Sequence, residues 1–197
     1  KGDVVGVMEG LEWISKEIEQ RRSSMNVPKG SVINLSLGIP DYVYSLEVTT
    51  QQLVDAGVTV VVAAGNEAEE ACWFSPARMS SVITVGATNK YNDLASFSNL
   101  GSCVDILAPG QSITAASHTR SSGSAVSSGT SQAAPHVAGA VARYLSSVQS
   151  GPPTPEEVKA AILQRSTYSI VGLDNFLLQS TPNYLLYSSC GDNIPKG

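Results

Sequence analysis

The sequence has no basic patch. Its net charge is −5 and its pI about 5.0, which argues against nucleic acid as a partner, because a phosphate-binding surface needs clustered Lys and Arg. No apolar run reaches membrane-spanning length, so no membrane is expected as a partner either. The opening residues, Lys1-Gly2-Asp3-Val4, lack the basic and apolar regions of a secretion signal and an initiator methionine. The chain is therefore expected to begin inside a longer protein. No glycine-rich phosphate loop follows the first strand-like run, which disfavours a nucleotide-binding α/β domain. Charged residues are scarce, 15% against 42% hydrophobic. Ser, Gly and Ala fill the space usually taken by Lys and Glu, a composition that suits a secreted hydrolase.

What is present reads as one domain, since 197 residues suffice for a sizeable core and neither an internal repeat nor a linker to a second domain is visible. Val4, Val7, Met8, Leu11, Ile14 and Ile18 recur at helical spacing and predict an amphipathic helix from Val4 to about Arg22. Ser31 to Gly38 reads as a short buried strand, about Ser45 to Ala56 as a helix stopped by Gly57, and Val58 to Ala64 as a strand apolar on both faces. Val82 to Ala87 is a further strand, and Val104 to Ala108 is a short apolar run bounded by Pro109-Gly110. Helices alternating with buried strands predict an α/β layered fold with a mainly parallel central sheet and right-handed crossovers. The Ser- and Gly-rich run from Ser117 to Ser128 reads as a surface loop leading into a helix over Ser131 to about Ser147. Thr154-Pro155-Glu156-Glu157 opens another helix, with Thr as the cap, Pro at the first helical position and Glu completing a capping box. Leu185-Leu186-Tyr187 reads as a closing strand.

The chemistry centres on Gly129-Thr130-Ser131-Gln132-Ala133-Ala134-Pro135-His136-Val137-Ala138-Gly139. A serine there follows a flexible Gly and opens a run of small residues, which places its hydroxyl at a helix N-terminus beside unpaired backbone N–H groups and a positive dipole. A developing oxyanion at that point is stabilised. Taken as a bare tripeptide, Gly-Thr-Ser is equally a helix cap. The whole stretch resembles the nucleophile signature of subtilisin-like serine proteases, with Gln132 standing where that family usually has Met. Two further segments resemble the family in the same order: Ile33 to Gly38, its substrate-pairing strand, and Val61 to Asn66, the strand ending in its oxyanion-hole Asn.

The resemblance implies a three-layer subtilisin-like fold whose N-terminal part lies upstream of Lys1. It implies a serine endopeptidase, proteinase K and aqualysin-like group, working through an acyl-enzyme on Ser131, with the side-chain amide of Asn66 and the Ser131 N–H as oxyanion donors. Asn66 alone also reads as a turn residue after Gly65. Ser36, Leu37 and Gly38 would offer backbone for an extended peptide to pair with, and Ala63, Ala64 and Gly65 would leave a roomy apolar wall beside it. Ile39 stands where the family often has a second Gly. The implied partners are a polypeptide substrate and the chain's own N-terminal portion or a propeptide. A secreted monomer without organic cofactor is expected.

The general base is missing from the sequence. Of the two histidines, His136 lies on the same helix as Ser131, about 140° around and about 7.5 Å along the axis, too far to reach it. It reads as a buried, hydrogen-bonded helix histidine. His118 reads as a solvated loop residue with nothing beside it to orient an imidazole. The family's Asp and His motifs, D-[ST]-G and H-G-T-H, are absent and are expected upstream of Lys1. A non-catalytic subtilase-fold binding module therefore stands as the alternative. By count alone the three cysteines fix no pairing and are compatible with three reduced thiols. The resemblance implies a Cys72–Cys103 disulfide and leaves Cys190 over. It also implies structural calcium held by Asp105 and the carbonyls of Ser80 and Val82, where Asp105 by itself reads equally as a turn cap before Pro109.

Overall fold

The structure, a computed structural model, describes residues 3–23, 30–117, 119, 121–149, 151–169, 171 and 180–187. Helix α1 covers Val4–Ser23, close to its predicted bounds. Strand β1, Ser31–Leu35, is shorter than the predicted run because the chain leaves the ladder at Ser36. After the short β2, Ile39–Pro40, helix α2 spans Tyr44–Asp55 and turns Leu46, Thr50 and Leu53 inward. Strand β3, Val58–Ala63, is buried at all six positions, as a strand apolar on both faces must be.

A 3₁₀ turn at Ala71–Trp73 leads into β4, Phe74–Ser75, and then β5, Ile83–Thr88. Strand β6, Ile106–Pro109, follows. The predicted loop over 117–128 is in part a hairpin: β7, Ile113–Ala116, pairs antiparallel with β8, Ser124–Ser127. All four residues of β8 are exposed, so no hydrophobic alternation marks it in the sequence. Helices α3, Thr130–Ser147, and α4, Pro155–Gln164, are followed by β9, Thr167–Tyr168, and β10, Tyr184–Leu185. Around Thr154 the capping box forms as read: Thr154 Oγ1 accepts from the Glu157 N–H, and the Glu157 carboxylate accepts from the Thr154 N–H.

Six strands form the main sheet in the order β1-β3-β5-β6-β10-β9. All neighbours pair parallel except β9, which runs antiparallel to β10. The period of two along β3 separates the two faces. Val61 and Ala63 pack with Ile83, Val85 and Ile106 under Ala133, Ala134, Val137 and Val141 of α3 and Val158 and Ile162 of α4. Val58, Val60 and Val62 face Leu11 of α1, Leu46 and Leu53 of α2, and Phe74. Two helical layers thus cover one sheet, and each fully buried Val contributes about 1.5–3 kcal/mol. Among the described residues no helix is long and apolar enough to cross a membrane.

Candidate active site

Because β1 and β3 run parallel, their carboxyl ends open on one edge of the sheet, the edge at which parallel α/β sheets hold ligands. Ser36 follows β1, Asn66 follows β3, and the first turn of α3 meets both. Gly129 caps α3 with a φ of 156°, and a Cβ there would lie 2.8 Å from Gln132 Oε1 and 3.4 Å from Asn66 Oδ1. Glycine at this entry keeps Asn66 and Ser131 close.

Pro135 lies inside α3 and has no N–H for the carbonyl four residues earlier, that of Ser131. That carbonyl instead accepts from Ser36 Oγ at 2.9 Å. Ser131 Oγ donates back to Ser36 O at 3.2 Å, and Asn34 Nδ2 donates to Ser36 Oγ at 2.9 Å. Ser131 is half-buried and Ser36 exposed, so the serine hydroxyl faces the open edge. No acceptor among the described residues pairs with the Ser131 N–H.

Asn66 is fixed from behind. Its Oδ1 accepts from the Thr130 N–H at 2.7 Å, with Thr130 Oγ1 at 3.1 Å, which orients the Nδ2 donor end away from the helix. Thr130, fully buried, also accepts from the Gly65 N–H at 3.1 Å. The turn is clamped from the other side by Asn99, also fully buried. Asn99 Oδ1 accepts from the N–H groups of Glu67 and Glu69, and its Nδ2 donates to Ala64 O and Glu67 Oε2. Gly65, at φ 110°, passes so close that a Cβ would collide with Asn99 Nδ2. Sequence reading missed Thr130 and Asn99 as supports. The only local signal was that Thr130 lies inside the Gly-Thr-Ser motif.

The other expected residues differ in how open they are to solvent. Ala63 and Ala64 are 2% and 0% exposed, their methyls packed in apolar clusters, and Gly65 is buried too. Ser36 and Gly38 are exposed, Leu37 is half-buried, and none of them belongs to a strand ladder. His136 accompanies α3 as read and its Nδ1 lies 2.8 Å from Gln132 O, but it is exposed rather than buried, because nothing among the described residues covers that side of α3. His118 and Cys190 lie outside the described residues.

Cys72 and Cys103 are joined in a disulfide with a Cα–Cα distance of 5.2 Å. Across a sequence separation of 31 such a bridge contributes about 3–4 kcal/mol on the loop-entropy estimate. The oxygens assigned to calcium do converge, but on an ammonium: Lys159 Nζ lies 2.7 Å from Asp105 Oδ1 and donates to Ser80 O and Val82 O. The set does not fit a resident calcium ion, because Asp105 Oδ1 and both carbonyls are already bonded to Lys159 and Asp105 Oδ2 accepts from the Thr84 N–H. Burial pushes the Asp105 carboxyl above its ordinary value, while Lys159 and the Thr84 N–H pull it down. Among the described residues no group of three or more His, Cys, Asp and Glu side chains could hold a metal.

A parallel sheet between two helical layers, with serine and amide groups gathered at its carboxyl edge by a helix N-terminus, defines a three-layer α/β protein of the subtilisin-like type. Residues 8–181 match the profile of the subtilase family, Peptidase_S8, and the chain belongs to that family. It is 43% identical over 187 residues to the extracellular serine proteinase of Thermus sp. (strain Rt41A), covering 95% of this chain and 42% of that protein. It is 39% identical over 203 residues to subtilisin-like protease 3 of Saccharomyces cerevisiae, covering 98% and 41%. The crystal structure of a cold adapted subtilisin-like serine proteinase superposes with a TM-score of 0.83 at 37% identity, covering 97% of this chain and 63% of that one. The chain thus spans 42% and 41% of the length of these two curated relatives.

Proposed function

We propose that residues 1–197 are the C-terminal part of a single subtilase catalytic domain, and that the protein carrying them is a secreted serine endopeptidase acting on polypeptides. The observation that carries this reading is the gathering of Ser131, its own N–H and the Asn66 amide at the carboxyl edge of the sheet, with the Ser131 carbonyl and hydroxyl held by Ser36 and the Asn66 amide held by Thr130. Membership of the subtilase family and the relatives named as a serine proteinase and a subtilisin-like protease support it. The Thermus relative is named extracellular, and the Cys72–Cys103 disulfide suits an oxidising compartment.

In this mechanism an extended peptide pairs with the backbone of Ser36, Leu37 and Gly38. Ser131 Oγ attacks the scissile carbonyl carbon while its proton passes to a histidine upstream of Lys1, oriented by an upstream aspartate. The negative charge on the carbonyl oxygen is met by Asn66 Nδ2 and the Ser131 N–H. Collapse expels the amine, which takes the proton, and water then hydrolyses the acyl-enzyme through the same groups. Because the base lies outside residues 1–197, those residues alone retain little activity.

A fluorophosphonate probe tests the reading. The protein at its full natural length is labelled stoichiometrically at Ser131, and Ser131→Ala abolishes labelling. A full-length protein that folds but resists the probe and cleaves no peptide would overturn it in favour of a binding module.

A further inference from the structure

We propose that Lys159 is a built-in structural cation, doing with its side-chain ammonium what a bound metal ion would do between α4 and the amino ends of β5 and β6. A protonated lysine carries three N–H donors, and Nζ finds three oxygens: Asp105 Oδ1 at 2.7 Å, Ser80 O at 3.0 Å and Val82 O at 2.8 Å. The fourth direction is its own Cε, so the ammonium is saturated. The other carboxylate oxygen, Asp105 Oδ2, accepts from the Thr84 N–H at 2.8 Å, so both oxygens of Asp105 are engaged. The side chains of Lys159 and Asp105 are 20% and 18% exposed, and charge-assisted bonds in so sheltered a place are the strong kind.

The cluster is complete in charge as well as in geometry. One positive group meets one carboxylate, whereas a divalent ion on the same oxygens would leave a net positive charge in a poorly solvated pocket. Calcium takes six to eight oxygens at about 2.3–2.6 Å, and among the described residues three oxygens meet Lys159 Nζ here. The lysine reaches its partners from α4, whose first turn is fixed by the Thr154–Glu157 capping box. It therefore ties the last long helix to the loop entering β5 and to the residue preceding β6. The consequence is that this joint holds without calcium.

The test uses the protein at its full natural length. In EDTA, Lys159→Ala unfolds about 5 °C below the wild type. Calcium at about 5 mM, in the range of weak extracellular sites, restores part of that loss by entering the emptied position. The Lys159→Ala/Asp105→Asn double variant shows no such recovery. A Lys159→Ala melting curve in EDTA that superimposes on the wild type would overturn the proposal. Should Lys159→Ala fail to fold, acetic anhydride labelling of the wild type, read by mass spectrometry, decides. Lys159 stays equally protected in calcium and in EDTA, and a lysine that becomes reactive when calcium is added would show that the metal displaces it, contrary to the proposal.

Discussion

The two ends of the sheet carry polar clusters of opposite design. At the carboxyl ends of β1 and β3, the groups are neutral hydroxyls and amides with capacity to spare: Asn66 Nδ2 and the Ser131 N–H keep donors, and the Ser131 hydroxyl, which donates to Ser36 O, keeps its acceptor lone pairs. At the amino ends of β5 and β6, an ammonium and a carboxylate use up each other's capacity together with two carbonyls and an N–H. Spare capacity marks a place meant to meet something else, whereas a closed set of bonds marks a joint. Asn99 shows that location alone does not decide, since it stands at the carboxyl end yet is buried and saturated.

If the open groups do the chemistry, Ser131→Ala in the full-length protein lowers kcat on a peptide substrate by about 10⁶-fold, the loss seen for the nucleophile of another subtilase, while the melting temperature barely moves. Asn66→Ala comes next, lowering kcat by about 10²–10³-fold, again a loss known from another subtilase, with little change in KM. A parallel rise in KM would mean that Asn66 binds the ground state instead. Asn99→Ala separates saturation from position. It leaves buried N–H and C=O groups without partners and costs about 3 kcal/mol in urea unfolding, and any fall in kcat follows from a loosened Asn66. Smallest is Thr154→Ala, which removes half of a capping box and costs about 1 kcal/mol without altering kcat.

Much of this was legible in the chain. Helical spacing gave α1 and the stop at Gly57 marked the end of α2, each to within a residue or two, the doubly apolar run gave β3, and the four letters of Thr154 to Glu157 gave a cap that forms as read. What was not legible depended on partners distant in sequence. Lys159 reads as an ordinary charge on an amphipathic helix, because nothing in its neighbourhood announces oxygens 77 and 79 positions away. Asn99 reads as one polar loop residue among several, and β8 has no apolar face to betray it. The small residues at 63–65 also allow close approach that no local pattern announces: Gly65 passes against Asn99 and Thr130.

The carbonyl that Pro135 leaves free has one more consequence. Burial of Ala133, Ala134, Val137, Val141 and Leu145 fixes which face of α3 meets the sheet, but apolar contact is non-directional and leaves the finer rotation of the helix less sharply set. The reciprocal bonds between Ser36 and Ser131 tie a backbone oxygen of α3, which no rotation of a side chain can reposition, to the end of β1. They act as an index mark between two rigid bodies. The proline thus sets the phase of α3 against the sheet, and with it the direction in which the Ser131 hydroxyl points.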